Sequence, residues 1–200
     1  MAEHKLHTHP IPPLYNEHSR VLILGSFPSP KSRENRFFYG HPQNRFWQIL
    51  AALFETETPT TIEEKKKLVL GHHLALWDVL ASCEIIGADD NTIRNPQPNP
   101  IKSILEKAPI QAVFTTGRKS SDLFKRLLQP DLQITAQYLP SPSPANCAMP
   151  LVDLVNSYRI ILPYLSLPWN PWPTPSVPLF LHIKCLWYYY LPLWESSDSI

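Results

Sequence analysis

A polar segment that follows the apolar run RVLIL holds side chains suited to binding a planar ligand. It contains Gly, Pro and Ser, so we predict that it is a long loop with no helix. Phe37, Phe38 and Tyr39 stand in a row, so at least one of the three rings is expected to stay partly exposed and available for stacking. Gly25 and Ser26 begin the segment, and a glycine lets a ligand approach the backbone amides closely. The alternative is that the three rings only pack the loop.

The same segment carries groups that could bind phosphate. Lys31, Arg33 and Arg36 supply cations, and Ser29 supplies a hydroxyl group near them. The whole chain has a formal net charge of only +1, so any basic surface must be local. We predict that Ser29 and Arg33 contact phosphate.

Two polar residues close the segment, in the sequence GHPQN, and each has two interpretations. The Asn44 amide could hydrogen-bond to water or to a leaving group, or it could cap the helix that begins there. His41 could act as an acid or an electrostatic stabiliser. A lone histidine in a Gly–Pro loop more often makes a structural hydrogen bond.

A second polar segment, residues 81–100, contains three prolines and is predicted to be a long loop. Asp89 and Asn91 could hydrogen-bond to the edge of a planar ligand. Glu84 is expected to pair with an arginine in a structural ion pair, and Cys83 is expected to be a small buried residue.

A third polar segment follows residue 139 and reads PSPSPAN. Ser141, Ser143 and Asn146 could bind phosphate or the ligand itself, and the prolines between them would stiffen the loop. The alternative for Ser143 is that it caps the last helix, with Pro144 at the first helical position.

Short apolar runs alternate with helical patterns along most of the chain. We predict strands at 20–24, at the start of 74–80, at 111–115 and at 134–139. We expect helices from Asn44, from Thr61 and within 101–105, 123–128 and 151–162. This alternation predicts a mainly parallel sheet covered on both faces. The three polar segments would then leave the sheet at its carboxyl edge, where ligands bind in such folds.

The composition bounds the class of protein. A chain of 200 residues with 44% hydrophobic content suits one globular domain with a real core. Cys83, Cys147 and Cys185 stand far apart, which argues against a zinc site and against a disulfide scaffold. The first residues lack the apolar core of a signal peptide, so we expect a cytoplasmic protein.

We divide the chain into an N-terminal arm (1–18), a domain (19–162) and a tail (163–200) rich in proline and aromatic residues. The tail is too interrupted by prolines, His182 and Lys184 to span a membrane. It could pack on the domain, form an interfacial segment, or result from a change of reading frame.

Three sequence blocks together resemble one family. They are LILGSFPSPKSRENRFFYGHPQNRFWQIL, WDVLASCEIIGADDNTIRNPQPN and LPSPSPAN. They are similar to the hypoxanthine-DNA glycosylase (DNA-deoxyinosine glycosylase) branch of the uracil-DNA glycosylase superfamily. The resemblance covers roughly residues 19–162, and GSFPS followed by FYGHPxNRFW is its most specific part.

The resemblance implies an α/β/α sandwich around a four-stranded, mainly parallel sheet. It also implies hydrolysis of the N-glycosidic bond of a flipped deoxynucleotide, with no metal and no organic cofactor. Hypoxanthine is the favoured base, with uracil or xanthine as alternatives. The implied partner is DNA containing a deaminated base, with no membrane, and the protein is expected to be a monomer.

The resemblance also suggests roles for residues. Relatives in the superfamily carry Asp or Asn two positions past the glycine of the first loop, where this chain has Phe27. The deoxyinosine branch is thought to use the asparagine of HPxN instead, which is Asn44 here. Gly25, Ser26, Phe27, Phe38, Tyr39, Asp89 and Asn91 would bind or stack on the base. Ser29, Arg33, Ser141, Ser143 and Asn146 would contact the DNA backbone.

Two other classes of protein remain open from the sequence alone. One is a nucleic-acid or nucleotide-binding module on the same fold without catalysis, which Phe27 and the unusual tail favour. The other is an enzyme that acts on a free nucleoside. No lysine lies in a motif that suggests Schiff-base chemistry, so lyase activity is not expected.

Overall fold

The computed structural model describes residues 4–166. The proline-rich and aromatic tail predicted for 163–200 lies outside these residues except for a short helix, Pro163–Ser166. Within 4–166, no helix combines the length and the apolar character needed to cross a bilayer.

Seven strands form two sheets. They are β1 (Lys5–Thr8), β2 (Val21–Gly25), β3 (Leu74–Asp78), β4 (Leu80–Ile85), β5 (Arg94–Pro98), β6 (Ala112–Thr116) and β7 (Ala136–Leu139). The larger sheet has the order β3-β2-β6-β7, and each neighbouring pair is parallel. The smaller sheet has the order β1-β4-β5 and is antiparallel.

Residues 4–166 also contain eight α-helices, six of them between strands and two after the last strand. They are α1 (Pro30–Asn35), α2 (Phe46–Leu53), α3 (Ile62–Gly71), α4 (Lys102–Leu105), α5 (Arg118–Leu127), α6 (Gln129–Leu132), α7 (Leu151–Tyr158) and α8 (Pro163–Ser166), with 3-10 turns at Asp90–Thr92 and Arg159–Ile161. Strands β2, β3 and β6 are buried along their whole length, as expected for parallel strands covered on both faces. The predicted α/β class with a four-stranded parallel sheet is confirmed.

The helix predicted to begin at Thr61 forms where its capping residue indicates. Helix α3 has a capping box, in which the Thr61 hydroxyl accepts from the Glu64 backbone and the Glu64 carboxylate accepts from the Thr61 backbone. Two backbone amides and the Thr60 hydroxyl donate to this carboxylate, which lowers the pKa of Glu64 to about 2.

The prediction that the segment after Gly25 contains no helix was wrong. Helix α1 forms within it because Ser29 is an N-cap, accepting from the Ser32 amide at 3.2 Å, and Pro30 occupies the first turn. The turn is only six residues long, too short to give an apolar period that a sequence could reveal.

The prediction that residues 81–100 form one loop was also wrong. Strands β4 and β5 pair here, and β1 from the N-terminal arm joins them. Two of the three prolines that suggested a loop, Pro96 and Pro98, lie in β5, an edge strand, where a missing amide donor is tolerated. Cys83 is fully buried as expected. Glu84 accepts a hydrogen bond from Asn95 at 2.9 Å rather than from an arginine.

The proposed capping of the last helix by Ser143 was wrong. Helix α7 begins at Leu151 after Pro150, well past Ser143. The Ser143 hydroxyl instead accepts from the Ala145 amide at 3.3 Å, inside the loop that follows β7.

Arg45 ties this loop to the start of α2. Its guanidinium donates to the carbonyl oxygens of Met149 at 2.5 Å, Asn146 at 2.7 Å and Ser143 at 3.1 Å, and its backbone amide donates to Pro142 at 3.1 Å. A planar guanidinium carries five N–H donors in a fixed geometry, so it can bind several carbonyl groups at once. The loop 140–150 is therefore held to α2 largely by one side chain.

We predict that Arg45→Met destabilises the fold, because three carbonyl groups lose a charged donor. Hydrogen bonds to charged groups contribute roughly 1.5–3 kcal/mol, so we expect the free energy of unfolding to fall by about 2 kcal/mol or more. Urea titration measures this, with Arg126→Met on the exposed face of α5 as the control. Equal midpoints for both variants would contradict the role of Arg45.

Candidate active site

A cavity of about 610 Å³ opens at the carboxyl edge of the parallel sheet. Its wall is built by the ends of β2, β3 and β6, by the segment after β4 and by the loop after β7. Phe38, Asp89 and Ser141 all line it, so the three polar segments of the sequence meet at one place. Ligand sites of small molecules commonly have volumes of about 300–1,000 Å³.

Most of the predicted site residues line this cavity. They are Gly25, Ser26, Phe27, Ser29, Phe38, Tyr39, Asn44, Asp89, Asn91, Ser141 and Ser143. Arg33 and Asn146 do not line it. The Arg33 guanidinium donates to the Pro28 carbonyl at 2.8 Å and lies 5.6 Å from the centre of the Phe27 ring. The Asn146 amide donates to the Ser141 carbonyl at 3.0 Å.

The three consecutive rings differ in exposure. Phe37 and Phe38 are buried, whereas Tyr39 is half-buried. The Tyr39 ring stacks on Phe46 with the centroids 3.7 Å apart, and its hydroxyl lies 3.3 Å from the Thr116 hydroxyl. Burial raises the pKa of Tyr39, so its phenol remains protonated and can donate a hydrogen bond. One face of the Tyr39 ring is thus already covered.

Asn44 lies one residue before the N-cap of α2, which is Arg45, so the prediction that Asn44 itself caps the helix was wrong. Its Oδ1 accepts from the Phe46 amide at 3.0 Å, an Asx-type hydrogen bond that supports the turn into α2. Its side chain also lines the cavity. Within residues 4–166 the amide nitrogen of Asn44 makes no hydrogen bond, so it can donate to a group in the cavity.

Asp90 is a site residue that the sequence analysis missed. It lines the cavity, and the Ser26 hydroxyl donates to its Oδ2 in a short hydrogen bond. Burial raises the pKa of Asp90 and the nearby Asp78 carboxylate raises it further, while the Ser26 hydrogen bond opposes this shift. The run of two aspartates and an asparagine was the available signal, but it did not distinguish Asp90 from its neighbours.

Asp78 is a second missed residue, at the last position of β3. It pairs in register with Gly25 on β2. A Cβ at position 25 would fall onto Asp78 Oδ1, so only glycine fits beside this carboxylate. The His9 ring lies on the other side of the carboxylate, with Nε2 at 2.8 Å from Oδ2. No local sequence pattern indicates this pair, because 69 residues separate its members.

Gly117 permits the close approach of the loop after β7. Its φ of +91° is unfavourable for other residues, and a Cβ there would lie 3.2 Å from the Ser141 Cβ. Its amide donates to the Leu139 carbonyl at 2.8 Å. The serine segment therefore lies directly against the start of α5.

The charged groups of the cavity are acidic. Asp78, Asp89 and Asp90 line it, and no lysine or arginine belongs to its wall as the described residues form it. His41 also lines it, and its Nδ1 accepts from the Gln43 amide at 3.2 Å, a structural hydrogen bond of the kind expected for this position. Carboxylates so placed favour a ligand or a transition state that carries positive charge.

The comparisons with known proteins agree with this geometry. The model of the uracil DNA glycosylase superfamily matches residues 12–154. A hypoxanthine DNA glycosylase from Methanosarcina acetivorans is 31% identical over 137 residues, which cover 68% of this chain and 85% of the relative. One from Methanosarcina barkeri is 28% identical over 113 residues, which cover 56% of this chain and 72% of the relative.

A solved structure supports the fold. It is the solution NMR structure of a candidate uracil DNA glycosylase from Methanosarcina acetivorans, similar with a TM-score of 0.66 and 24% identity over 79% of this chain and 99% of that one. At this identity the likeness concerns the fold alone. The family model, which spans most of the described residues, and the relative at 31% identity together decide the family. The chain belongs to the uracil DNA glycosylase superfamily.

Proposed function

We propose that this chain is a monofunctional DNA glycosylase that releases hypoxanthine from DNA and leaves an abasic site. The observation that carries the proposal is the convergence of the three polar segments on one cavity large enough for a nucleoside. Relatives that bear the name hypoxanthine DNA glycosylase support the choice of base. Uracil and xanthine are the nearest alternative bases.

The substrate nucleotide must leave the double helix to reach such a cavity. A base inside a duplex has no free face, so glycosylases flip it out and hold it against aromatic side chains. Phe38 or the uncovered face of Tyr39 would stack on the base. Ser141 and Ser143 would contact phosphate or base, and Ser29 and Arg33 would contact phosphate at the rim.

The base edge would be read by the polar segment after β4. Hypoxanthine presents an N1–H donor and an O6 acceptor, whereas adenine presents a lone pair at N1. An ionised Asp90 carboxylate would accept the N1–H of hypoxanthine and repel the N1 lone pair of adenine. Asp89 and Asn91 line the same wall and could complete the contacts with this edge.

Asn44 would act on the reacting centre. Cleavage of the glycosidic bond leaves positive charge on the sugar and negative charge on the base. The Asn44 amide nitrogen would position the attacking water or donate to the departing base. Its oxygen would still accept from the Phe46 amide at the start of α2. Carboxylates in the cavity would stabilise the positive sugar.

A hydrolase is favoured over a lyase by the lining of the cavity. A lyase needs an amine that forms a Schiff base with the sugar. No lysine belongs to the cavity wall formed by residues 4–166. We propose that the enzyme acts as a monomer. The free thiols of Cys83 and Cys147 fit a reducing compartment such as the cytoplasm.

The function is tested with oligonucleotides that contain a single deoxyinosine, deoxyuridine or deoxyxanthosine, each followed by alkali. Strand cleavage at deoxyinosine, with none at deoxyadenosine in the same position, is the expected result. Binding without cleavage of any of these substrates would favour a non-catalytic module. Activity on free deoxyinosine and none on the oligonucleotide would favour a nucleoside hydrolase.

We predict that Asn44→Ala and Asn44→Ser both lower the single-turnover rate on deoxyinosine DNA by about 10²-fold to 10³-fold, the usual cost of removing one transition-state hydrogen bond. A serine hydroxyl can also accept from the backbone amide two residues further on, so Asn44→Ser should keep the stability that Asn44→Ala loses, about 1 kcal/mol. Rates are measured by quenched cleavage and stabilities by urea titration. If Asn44→Ser cleaves at the wild-type rate, Asn44 only supports the turn into α2.

We predict that Asp90→Asn lowers the rate of hypoxanthine release by roughly tenfold to a hundredfold, because the base loses a charged acceptor. The same change should stabilise the fold at neutral pH. Burial raises the pKa of Asp90 in the folded chain above its usual 3.8, so the unfolded chain ionises first and Asp90 reduces stability as pH rises past that value.

The stability gain of Asp90→Asn over the wild type should therefore be absent near pH 3 and grow towards about pH 7. Urea titrations across this range measure it. The matched control is Asp122→Asn, which removes an exposed carboxylate on α5. If the free energies of unfolding of Asp90→Asn and the wild type differed by the same amount at every pH, burial of the ionised Asp90 carboxylate would not reduce stability.

A further inference from the structure

A second carboxylate of the cavity is held in a more rigid environment than the others. Asp78 is 6% exposed and ends β3, and the Asn99 amide donates to its backbone carbonyl at 2.9 Å. Asn99 also donates to the Leu80 carbonyl at 3.0 Å, which fixes the corner between β3 and β4. The backbone under the carboxylate therefore has little freedom.

The side chain of Asp78 is oriented by His9. The His9 Nδ1 accepts from the Ile11 amide at 3.2 Å, so the ring proton must lie on Nε2, which then donates to Asp78 Oδ2 at 2.8 Å. The His9 side chain is only 3% exposed. Its ring packs edge-on against Phe27 and Trp77 at 5.9 and 6.4 Å. A neutral histidine thus fixes the carboxylate without neutralising it.

The other oxygen of Asp78 faces a different environment. Oδ1 lies where a side chain at position 25 would be, and no hydrogen bond within residues 4–166 engages it. Each of the other two cavity carboxylates also has one oxygen in a hydrogen bond: Asp90 Oδ2 accepts from Ser26, and Asp89 Oδ1 accepts from the Asn91 amide at 2.9 Å. Asp78 differs from them because it is buried and because a buried histidine orients its side chain, whereas Asp90 is half-buried and Asp89 is exposed. Its Oδ1 is therefore an acceptor held in one position for a water molecule or for the sugar.

We propose that Asp78 is a catalytic base of the hydrolysis and that His9 is its positioning residue; this rests on the proposed glycosylase function. The C1′–N9 bond breaks and its electron pair leaves with the base. The water oxygen bonds to C1′, and the proton that it loses passes to Asp78 Oδ1. The released base anion takes up a proton from solvent and Asp78 releases its proton to solvent, so the net reaction consumes one water and returns the carboxylate to its ionised form. Before the transfer, the carboxylate also stabilises the positive charge on the sugar.

The proposal predicts a loss of rate without a loss of binding. Positioned general bases typically contribute about 10²-fold to 10⁴-fold, so Asp78→Asn should lower the single-turnover rate on deoxyinosine DNA by at least about 10²-fold. The change keeps the shape and an acceptor for His9. The Kd for the same DNA, measured by fluorescence anisotropy, should change less than about threefold, because the contribution is made in the transition state.

His9 is tested by a pair of variants. His9→Phe keeps a ring against Phe27 and Trp77 but removes the donor, so the rate should fall while Kd is retained. His9→Gln keeps an N–H donor and should recover a large part of the rate. If His9 had only a structural role, the cleavage rates of the two variants would fall in proportion to their loss of stability. Thermal unfolding of both variants measures that stability. The matched control is Asp122→Asn, with the wild-type rate expected.

The outcomes separate the two hypotheses. A wild-type protein that fails to release any base overturns the proposed function. A wild-type protein that is active, with Asp78→Asn at a rate within about fivefold of it, overturns the role of Asp78. A rise in Kd large enough to account for the lost activity would also overturn this role, since it would show that Asp78 contributes to binding of the substrate before the reaction. Should Asp78→Asn fail to fold, the ratio of the His9→Gln and His9→Phe rates decides, and equal rates overturn the proposal.

Discussion

The parallel pairing of β2 with β3 and β6 determines where every group of the cavity lies. Hydrogen bonds between parallel strands hold their carboxyl ends level, so Gly25 and Asp78 face each other as the strands end. Side chains that are far apart in the sequence are thereby brought to one edge of the sheet. A slip of one residue in either pairing would turn Asp78 to the opposite face of the sheet.

Much of the fold followed from local patterns. The buried runs of β2, β3 and β6 are continuous and apolar, and α3 carries its own capping residues, so each could be recognised without knowledge of its neighbours. Helix α1 and the sheet β1-β4-β5 could not. A six-residue helix has no usable period, and β5 is an exposed strand with two prolines, whose formation depends on its partner.

The residues of the site also divide into those that a local sequence pattern indicates and those that only the fold reveals. Residues within the three polar segments, such as Asn44 and Ser141, were predicted because type and spacing are visible in the sequence. Asp78 and Arg45 were missed because each looks ordinary in its local context: one is the last residue of a strand and the other precedes a helix. Their importance arises only from what the fold places beside them, a glycine in one case and a loop of carbonyl groups in the other.

The histidine that contacts Asp78 comes from the first ten residues, ahead of the segment in which the α/β pattern begins. Those residues look like a dispensable arm in the sequence, yet β1 pairs with β4 and His9 anchors its amide to the Ala81 carbonyl at 2.8 Å. A truncated chain starting at Ser19 would lose His9 and with it the hydrogen bond to a carboxylate of the cavity wall. Protein produced for enzymology should therefore keep residues 4–18.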